Sequence, residues 1–489
     1  MLLPHAARQE SRPLASQVPL NIGPQPQSHL PVTCIFRFKQ EFLLSRSRLL
    51  IVLTMSCCCL KIKGLALADD WPQWNGPTRD GVVHEAGILT RIPDGGLKLL
   101  WRKDIQLGYS GPAVANGLIY VFDYAKEKGS IVNKAGTRDE LTGLERLLCM
   151  DARTGELLWK DEYDRPYAVS YGSGPRTTPA VFKGLVYALG AEGHLRCLDA
   201  RTGERKWTRD FKKEFGAETP LWGHAASPLI YGDSLICMVG GDGSLVVAFD
   251  LLTGREQWRA LSSKETGYCP PSLMTHNGVE QLLIWSPEML RSLNPQSGQL
   301  YWQEELAPKY GMSILPPISE GDLLFAGGEG SVGAMFRLGS DNTSAEVVWR
   351  GAPKTGVYLA TSAAVFDNGY LYGADIGSGA LVCARASDGE RMWQSAVPTT
   401  GSTRGRSGAH GTAFLLKCGD GNYLIFSETG DFISAKLTPE GYSETGRFHA
   451  IDPTGTTMGR DYVWTFPAVA DGRLYLRNDV EVICYDLSN

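Results

Sequence analysis

Histidines, cysteines and paired acids are the side chains that hold metals or move protons, and in this sequence they stand apart. His84, His194, His224, His276, His410 and His449 occur singly, without paired spacing for a metal. Cys237, Cys269 and Cys418 lack zinc spacing. No serine-nucleophile motif, phosphate loop or kinase signature occurs. Aromatic side chains do recur in a pattern. Tyr109, Tyr171, Trp222, Tyr268, Tyr310, Tyr358 and Tyr462 lie in loops that lead into short apolar strands, with His224, Arg406 and His410 placed similarly. If those loops meet at one mouth, ring faces and cationic groups converge, giving large contact area at little rotamer cost. That is binding chemistry. No catalytic residue and no metal ligand is assigned.

The elements that would carry these loops are repeats. Residues 147–159, LLCMDARTGELLW, place Asp151, Gly155 and Trp159 at offsets that recur as Asp199, Gly203 and Trp207, then Asp250, Gly254 and Trp258. Asn294, Gly298 and Trp302 follow with amide for acid; Gly389 and Trp393 keep the last two, and Trp349 ends a degenerate copy. The tryptophans at 159, 207, 258, 302, 349 and 393 lie 48, 51, 44, 47 and 44 residues apart, the period of a four-stranded propeller blade. In each unit the acid accepts amide hydrogens across a turn, the glycine takes positive φ, and the next strand delivers an indole able to cover a blade seam.

Between these units lie pairs of short apolar strands joined by Asn-Gly, Asp-Gly or similar turns, the signature of hairpins. They fall at 111–121, 178–189, 227–238, 271–284, 316–325, 362–372, 411–426 and 466–476, which predicts eight blades. The seventh copy, 432–448, has lost its turn motif and its tryptophan. Trp101 has no upstream Asp-turn, whereas residues 482–487 end in an Asp with no following Trp. The two halves complete one blade, so the C-terminal strand pairs with an N-terminal strand and the ring has no open edge. The fold class is all-β, an eight-bladed β-propeller of four-stranded blades.

Composition agrees with this. The 56 glycines, 12 tryptophans and 19 tyrosines suit many short strands and tight turns. A net charge of −5 without basic blocks leaves no footprint for nucleic acid. Residues 1–68 form a leader and signal segment. Arg46 and Arg48 precede the apolar run 49–60, and Ala66-Leu67-Ala68 is a small-residue cleavage site, so the single propeller domain spans 69–489 and is exported to the periplasm or cell envelope. The apolar run is short of the roughly twenty residues of a transmembrane helix. Thr54-Met55-Ser56 fits poorly before a lipidated Cys57, Cys58 or Cys59. Cys149, Cys197, Cys383 and Cys484 occupy equivalent repeat positions in different blades, too far apart for disulfides.

The run of Asp-x-x-x-Gly-x-x-x-Trp units, with a small residue two places before the Asp, resembles the tryptophan-docking repeat of pyrroloquinoline-quinone-like (PQQ-like) β-propellers. Trp71-Pro72-Gln73-Trp74-Asn75-Gly76-Pro77, with Arg79-Asp80-Gly81, looks like the entry segment of exported bacterial members. The resemblance spans 71–489. That superfamily includes quinone-dependent alcohol and sugar dehydrogenases, a scaffold lipoprotein of outer-membrane protein assembly, and sensor regions of kinases. For its enzymes the resemblance implies a quinone, a calcium ion held by carboxylate and amide oxygens, a catalytic aspartate and, in many, a disulfide between adjacent cysteines. Residues 69–489 contain no adjacent cysteine pair. The chain therefore resembles the assembly propeller more than the dehydrogenases, and is expected to be a binding or protein-interaction scaffold of the cell envelope without a cofactor. A dehydrogenase using PQQ with calcium, and a carbohydrate or small-ligand sensor, are the alternatives. The expected partner is an envelope protein or a small ligand, not nucleic acid. No transmembrane span is expected in the mature chain.

Overall fold

Each Asp-x-x-x-Gly turn closes as its residues dictate. Asp151 Oδ1 accepts the amides of Arg153 and Thr154 at 2.9 Å each, and Asp199 repeats this with Arg201 and Thr202 at 3.0 and 2.9 Å. Gly155 and Gly203 then take φ of 68° and 73°. A Cβ on Gly203 would lie 2.7 Å from the Trp159 ring. The glycine is thus required twice, by its backbone and by the indole pressed on it.

In the computed structural model, which describes residues 70–403 and 408–489, these turns join the third and fourth strands of antiparallel blades. The described residues fall in the unit Ala66–Asn489. The leader and signal segment, 1–68, lies outside the described residues, and so does Arg406. Blade 1 comprises Ala113–Ala115, Leu118–Lys128, Asp139–Asp151 and Leu157–Asp164. Blades 2 to 7 begin with inner strands Ala180–Phe182, Leu229–Tyr231, Ser272–His276, Ile318–Glu320, Val365–Asp367 and Ala413–Lys417. Blade 8 is Ala468–Ala470, Arg473–Arg477 and Glu481–Asp486, completed by Lys98–Asp104. That last pairing sets Trp101 opposite Cys484 and closes the ring, as the sequence predicts.

In all eight blades the pairing of third and outer strands carries a register shift. Such bulges re-aim a side chain, and the outer-strand indoles cross the seam to the next blade. Trp101, Trp159 and Trp207 donate Nε1–H to the carbonyls of Ala152, Ala200 and Leu251 at 3.1, 3.2 and 2.9 Å. The same three carbonyls accept the hydroxyls of Tyr475, Tyr120 and Tyr187. Trp302 departs from this rule and bonds Gln281 Oε1 of its own blade at 3.0 Å. Blade 7, which lacks the tryptophan, uses Phe448 instead, edge-on to Tyr485 of blade 8 at 5.2 Å.

Two further segments shape the ring. Strands two and three of blade 1 run long, Leu118–Lys128 and Asp139–Asp151, and Tyr167–Val169 pairs with the latter as a fifth strand. The N-terminal strap, 70–83, joins no blade and crosses the inner strands instead. Trp71 exchanges two backbone bonds of 2.8 Å with Val114 of blade 1, and Val181 of blade 2 donates to Pro72 O at 2.8 Å. Arg79 donates to Ser227 O, Pro228 O and Pro271 O at 3.1, 2.9 and 3.3 Å, beside blades 3 and 4. Gly81 and Val83 bond Lys417 of blade 7. A segment that precedes every blade in the sequence so reaches inner strands as distant as Lys417.

Candidate functional site

The loops that enter the inner strands are zipped to one another by backbone bonds. Tyr109 N donates to Pro175 O at 2.9 Å, Ser170 N to Leu221 O at 2.8 Å, and Tyr268 N to Ser313 O at 3.2 Å. They surround a cavity of about 600 Å³, within the usual range for ligand pockets. Among the sequence candidates, Tyr109, Tyr171, Trp222, Tyr268, Tyr310 and His410 line it.

Their hydroxyls are largely turned into the wall. Tyr109 Oη shares a 2.9 Å hydrogen bond with Tyr462 Oη, and Tyr171 Oη one of 3.1 Å with Thr457 Oγ1. Tyr268 Oη is buried without a partner. Burial pushes Tyr109 and Tyr268 up to about 12, so both stay neutral. Trp222 meets Tyr268 edge to face at 5.3 Å. What faces the cavity is therefore mainly ring surface.

Polar groups are few, and the one guanidinium among them is engaged. Arg176 lies 5.4 Å from the Tyr109 ring centroid and donates to Ser170 O at 2.9 Å and to the carbonyls of Gly174 and Tyr171. Glu265 and Glu329 sit on the lining; burial raises Glu329. His410 is lowered by burial and by Arg460, which favours neutral imidazole. Tyr171, Tyr310, His410 and Met458, all lining residues, have φ of 54°, 60°, 64° and 51°. Left-handed backbone costs such residues of the order of 1–3 kcal/mol each, and strain of this kind clusters at ligand clamps.

Three candidates sit elsewhere. His224 is 2% exposed, packs on Phe211 at 5.5 Å, and burial draws it down to about 4. Tyr358 lines a separate cavity of about 760 Å³ at the seam of blades 5 and 6, its hydroxyl donating to Ala352 O at 2.9 Å. Tyr462 backs the wall, stacked on Trp464 at 3.8 Å.

Sequence reasoning missed Trp74, Trp464, Phe466, Met312 and Met458, all on the lining. Trp464 and Phe466 precede Pro467 in the same kind of entry loop as the others, so their signal was present. Trp74 had none, because only the strap's course brings it there. The tip of the blade 1 extension forms part of the rim through Ala135 and Gly136, held by Asn133 Nδ2 donating to Thr456 O at 3.2 Å.

Arg176 already serves three carbonyls, and among the described residues no group of three or more His, Cys, Asp or Glu is placed to hold a metal. The seven cysteines at 149, 197, 237, 269, 383, 418 and 484 are all free.

The family model described as outer membrane protein assembly factor BamB matches residues 144–395. No curated protein matches the chain. Solved structures similar to it include the quinohemoprotein alcohol dehydrogenase of Comamonas testosteroni, at 13% identity and TM-score 0.55, over 86% of this chain and 80% of that one. A europium-containing methanol dehydrogenase has 14% identity and TM-score 0.54, over 83% and 89%. BamB from Moraxella catarrhalis has 14% identity and TM-score 0.49, over 80% and 99%. At such identities the likeness to the dehydrogenases is one of fold, and function must be argued from the site.

Proposed function

This chain belongs to the family of outer membrane protein assembly factor BamB, and from that premise we propose that it is an exported scaffold that binds a protein partner at its aromatic mouth. The carrying observation is a cavity walled by ring faces, with the hydroxyls of Tyr109 and Tyr171 tied back into the protein. Its rim supports a protein rather than a free small molecule: Tyr310 and Met458, both on the lining, are 76% and 52% exposed. Large apolar side chains exposed beside a pocket of buried rings are surface that a protein partner covers, with the rings as anchoring pocket. Export rests on the signal features of 46–68. Among the described residues no helix is long and apolar enough to cross a membrane.

Native mass spectrometry and melting of protein recovered from the envelope test this reading, using wild type, Trp222→Ala and Tyr310→Ala. The expected result is a bound partner in wild type, lost from both variants at nearly unchanged melting temperature. Tyr310 is too exposed for its loss to unfold the ring, so partner retention in a folded Tyr310→Ala and Trp222→Ala pair moves recognition to another face. Saturable dye-linked oxidation of alcohols on addition of PQQ and calcium would favour the dehydrogenase alternative.

A further inference from the structure

The entry motif 71–81 is the one sequence feature that the mouth reading leaves without a role, and its position in the channel supplies one. We propose that Trp74, carried into the channel by the N-terminal strap, is the floor of the mouth site, and that the partner group resting on it is a single planar aromatic ring. The inference rests on the mouth reading and names the chemistry of what enters.

The floor is built rather than incidental. Trp74 is 5% exposed, and that remainder lines the cavity. Its ring meets Phe466 edge to face at 5.3 Å, and Phe466 in turn meets Phe414 of blade 7 at 4.7 Å. On another side the Arg79 guanidinium lies 5.3 Å from the indole centroid. That guanidinium is pinned by the three carbonyls beside blades 3 and 4 and by Gln73 Oε1 at 3.2 Å. The chain can place the indole there because it reverses immediately afterwards. Asn75 and Gly76 take φ of 58° and 93°, and a Cβ on Gly76 would strike the Trp71 ring at 2.9 Å.

The walls above this floor select a ring. The edge-to-face pair Trp222–Tyr268 and the indole of Trp464 offer both faces and edges, the geometries in which aromatic groups attract one another. Met312 and Met458 add thioethers, which also favour ring edges. A sugar would need a fence of free donors and acceptors for its hydroxyls. Arg176 and the tyrosine hydroxyls at 109 and 171 are already bonded within the wall, and Tyr268 Oη, His410, Glu265 and Glu329 are polar side-chain groups set among a majority of rings and thioethers.

The experiment is a ¹⁹F NMR titration of the mature protein with 5-fluoroindole, alongside maltotriose. Wild type should show saturable binding of fluoroindole. Trp74→Phe should bind within a few-fold of it, and Trp74→Ala about tenfold or more weaker, the size of one lost ring contact. Should the alanine variant fail to fold, Trp74→Leu keeps apolar bulk without a ring and carries the same expectation. If Trp222→Ala weakens binding while Trp74→Ala and Trp74→Leu match wild type, the floor assignment is overturned and the mouth reading stands. If none of these changes alters binding, both fall. Saturable maltotriose binding in place of fluoroindole overturns the ring assignment.

Discussion

Deleting residues 481–489 withdraws one strand from the middle of blade 8, between Arg473–Arg477 and Lys98–Asp104. Val482, Ile483 and Leu487 are 0% exposed and Tyr485 is 6% exposed. At about 1.5–3 kcal/mol for each buried apolar side chain, their loss removes on the order of 6–12 kcal/mol. That is as large as the whole stability of an ordinary domain, roughly 5–15 kcal/mol. Unfolding entropy near 2.1 cal/mol/K per residue, over a unit of about 420 residues, gives close to 1 °C per kcal/mol. Differential scanning calorimetry should therefore show the midpoint lowered by about 6–12 °C, or no cooperative transition and aggregates from the two freed edges. A milder version, Ile483→Ala, should cost about 2–5 kcal/mol and a similar number of degrees. A truncated chain that melts with wild type would refute the closure argument, because blade 8 would then hold without its third strand.

Other outcomes follow from individual residues. Gly203→Ala combines a left-handed φ of 73° with a Cβ 2.7 Å from Trp159. It should cost about 2–4 kcal/mol by denaturant titration, whereas Gly184→Ala, with φ of 78° and open space, should cost about 1–2 kcal/mol. Equal losses would show that the indole does not press on the turn. His224 is held by burial near 4, below its ordinary 6.5, so its neutral form is favoured in the fold. The associated stability is complete above pH 6.5 and is lost as pH falls from there towards 4, by up to roughly 3 kcal/mol. Melting against pH should fall less steeply in His224→Gln than in wild type, although His194, lowered similarly, keeps part of the slope; identical slopes would contradict the burial argument. Burial also raises the thiols, with Cys149 and Cys197 up to about 12 and Cys383 up to about 11. Native protein at pH 8 should resist a thiol reagent, with half-buried Cys418 reacting first. Rapid labelling of several thiols would contradict the packing described for them.

What was legible in the sequence was whatever is local and repeated. The Asp, Gly and Trp of each turn report a backbone requirement and a seam filler within nine residues, so the period survives even where Asn294 replaces the acid. Blade 7 was legible through its hairpin alone, because Phe448 fills the seam from a position that carries no motif. Entry loops share one end of the ring, which is why six aromatic and histidine candidates meet around one cavity. The sequence does not say which way a loop side chain turns, and Tyr358, Tyr462 and His224 turn into seams and walls. Trp74 depends on a strap that contacts inner strands more than a hundred residues away, a relation that no spacing records.

The most direct test of the mouth as the recognition face is site-specific photo-crosslinking in the intact envelope. A benzophenone amino acid would replace Tyr310 on the rim or, for comparison, Leu300 on the outer strand Leu300–Glu305 of blade 4, which is 40% exposed. The account predicts a discrete crosslinked partner from position 310, abolished when Trp222→Ala is introduced, and none from position 300. Crosslinking at 300 with none at 310 would contradict it and place the interface on the blades' outer edges.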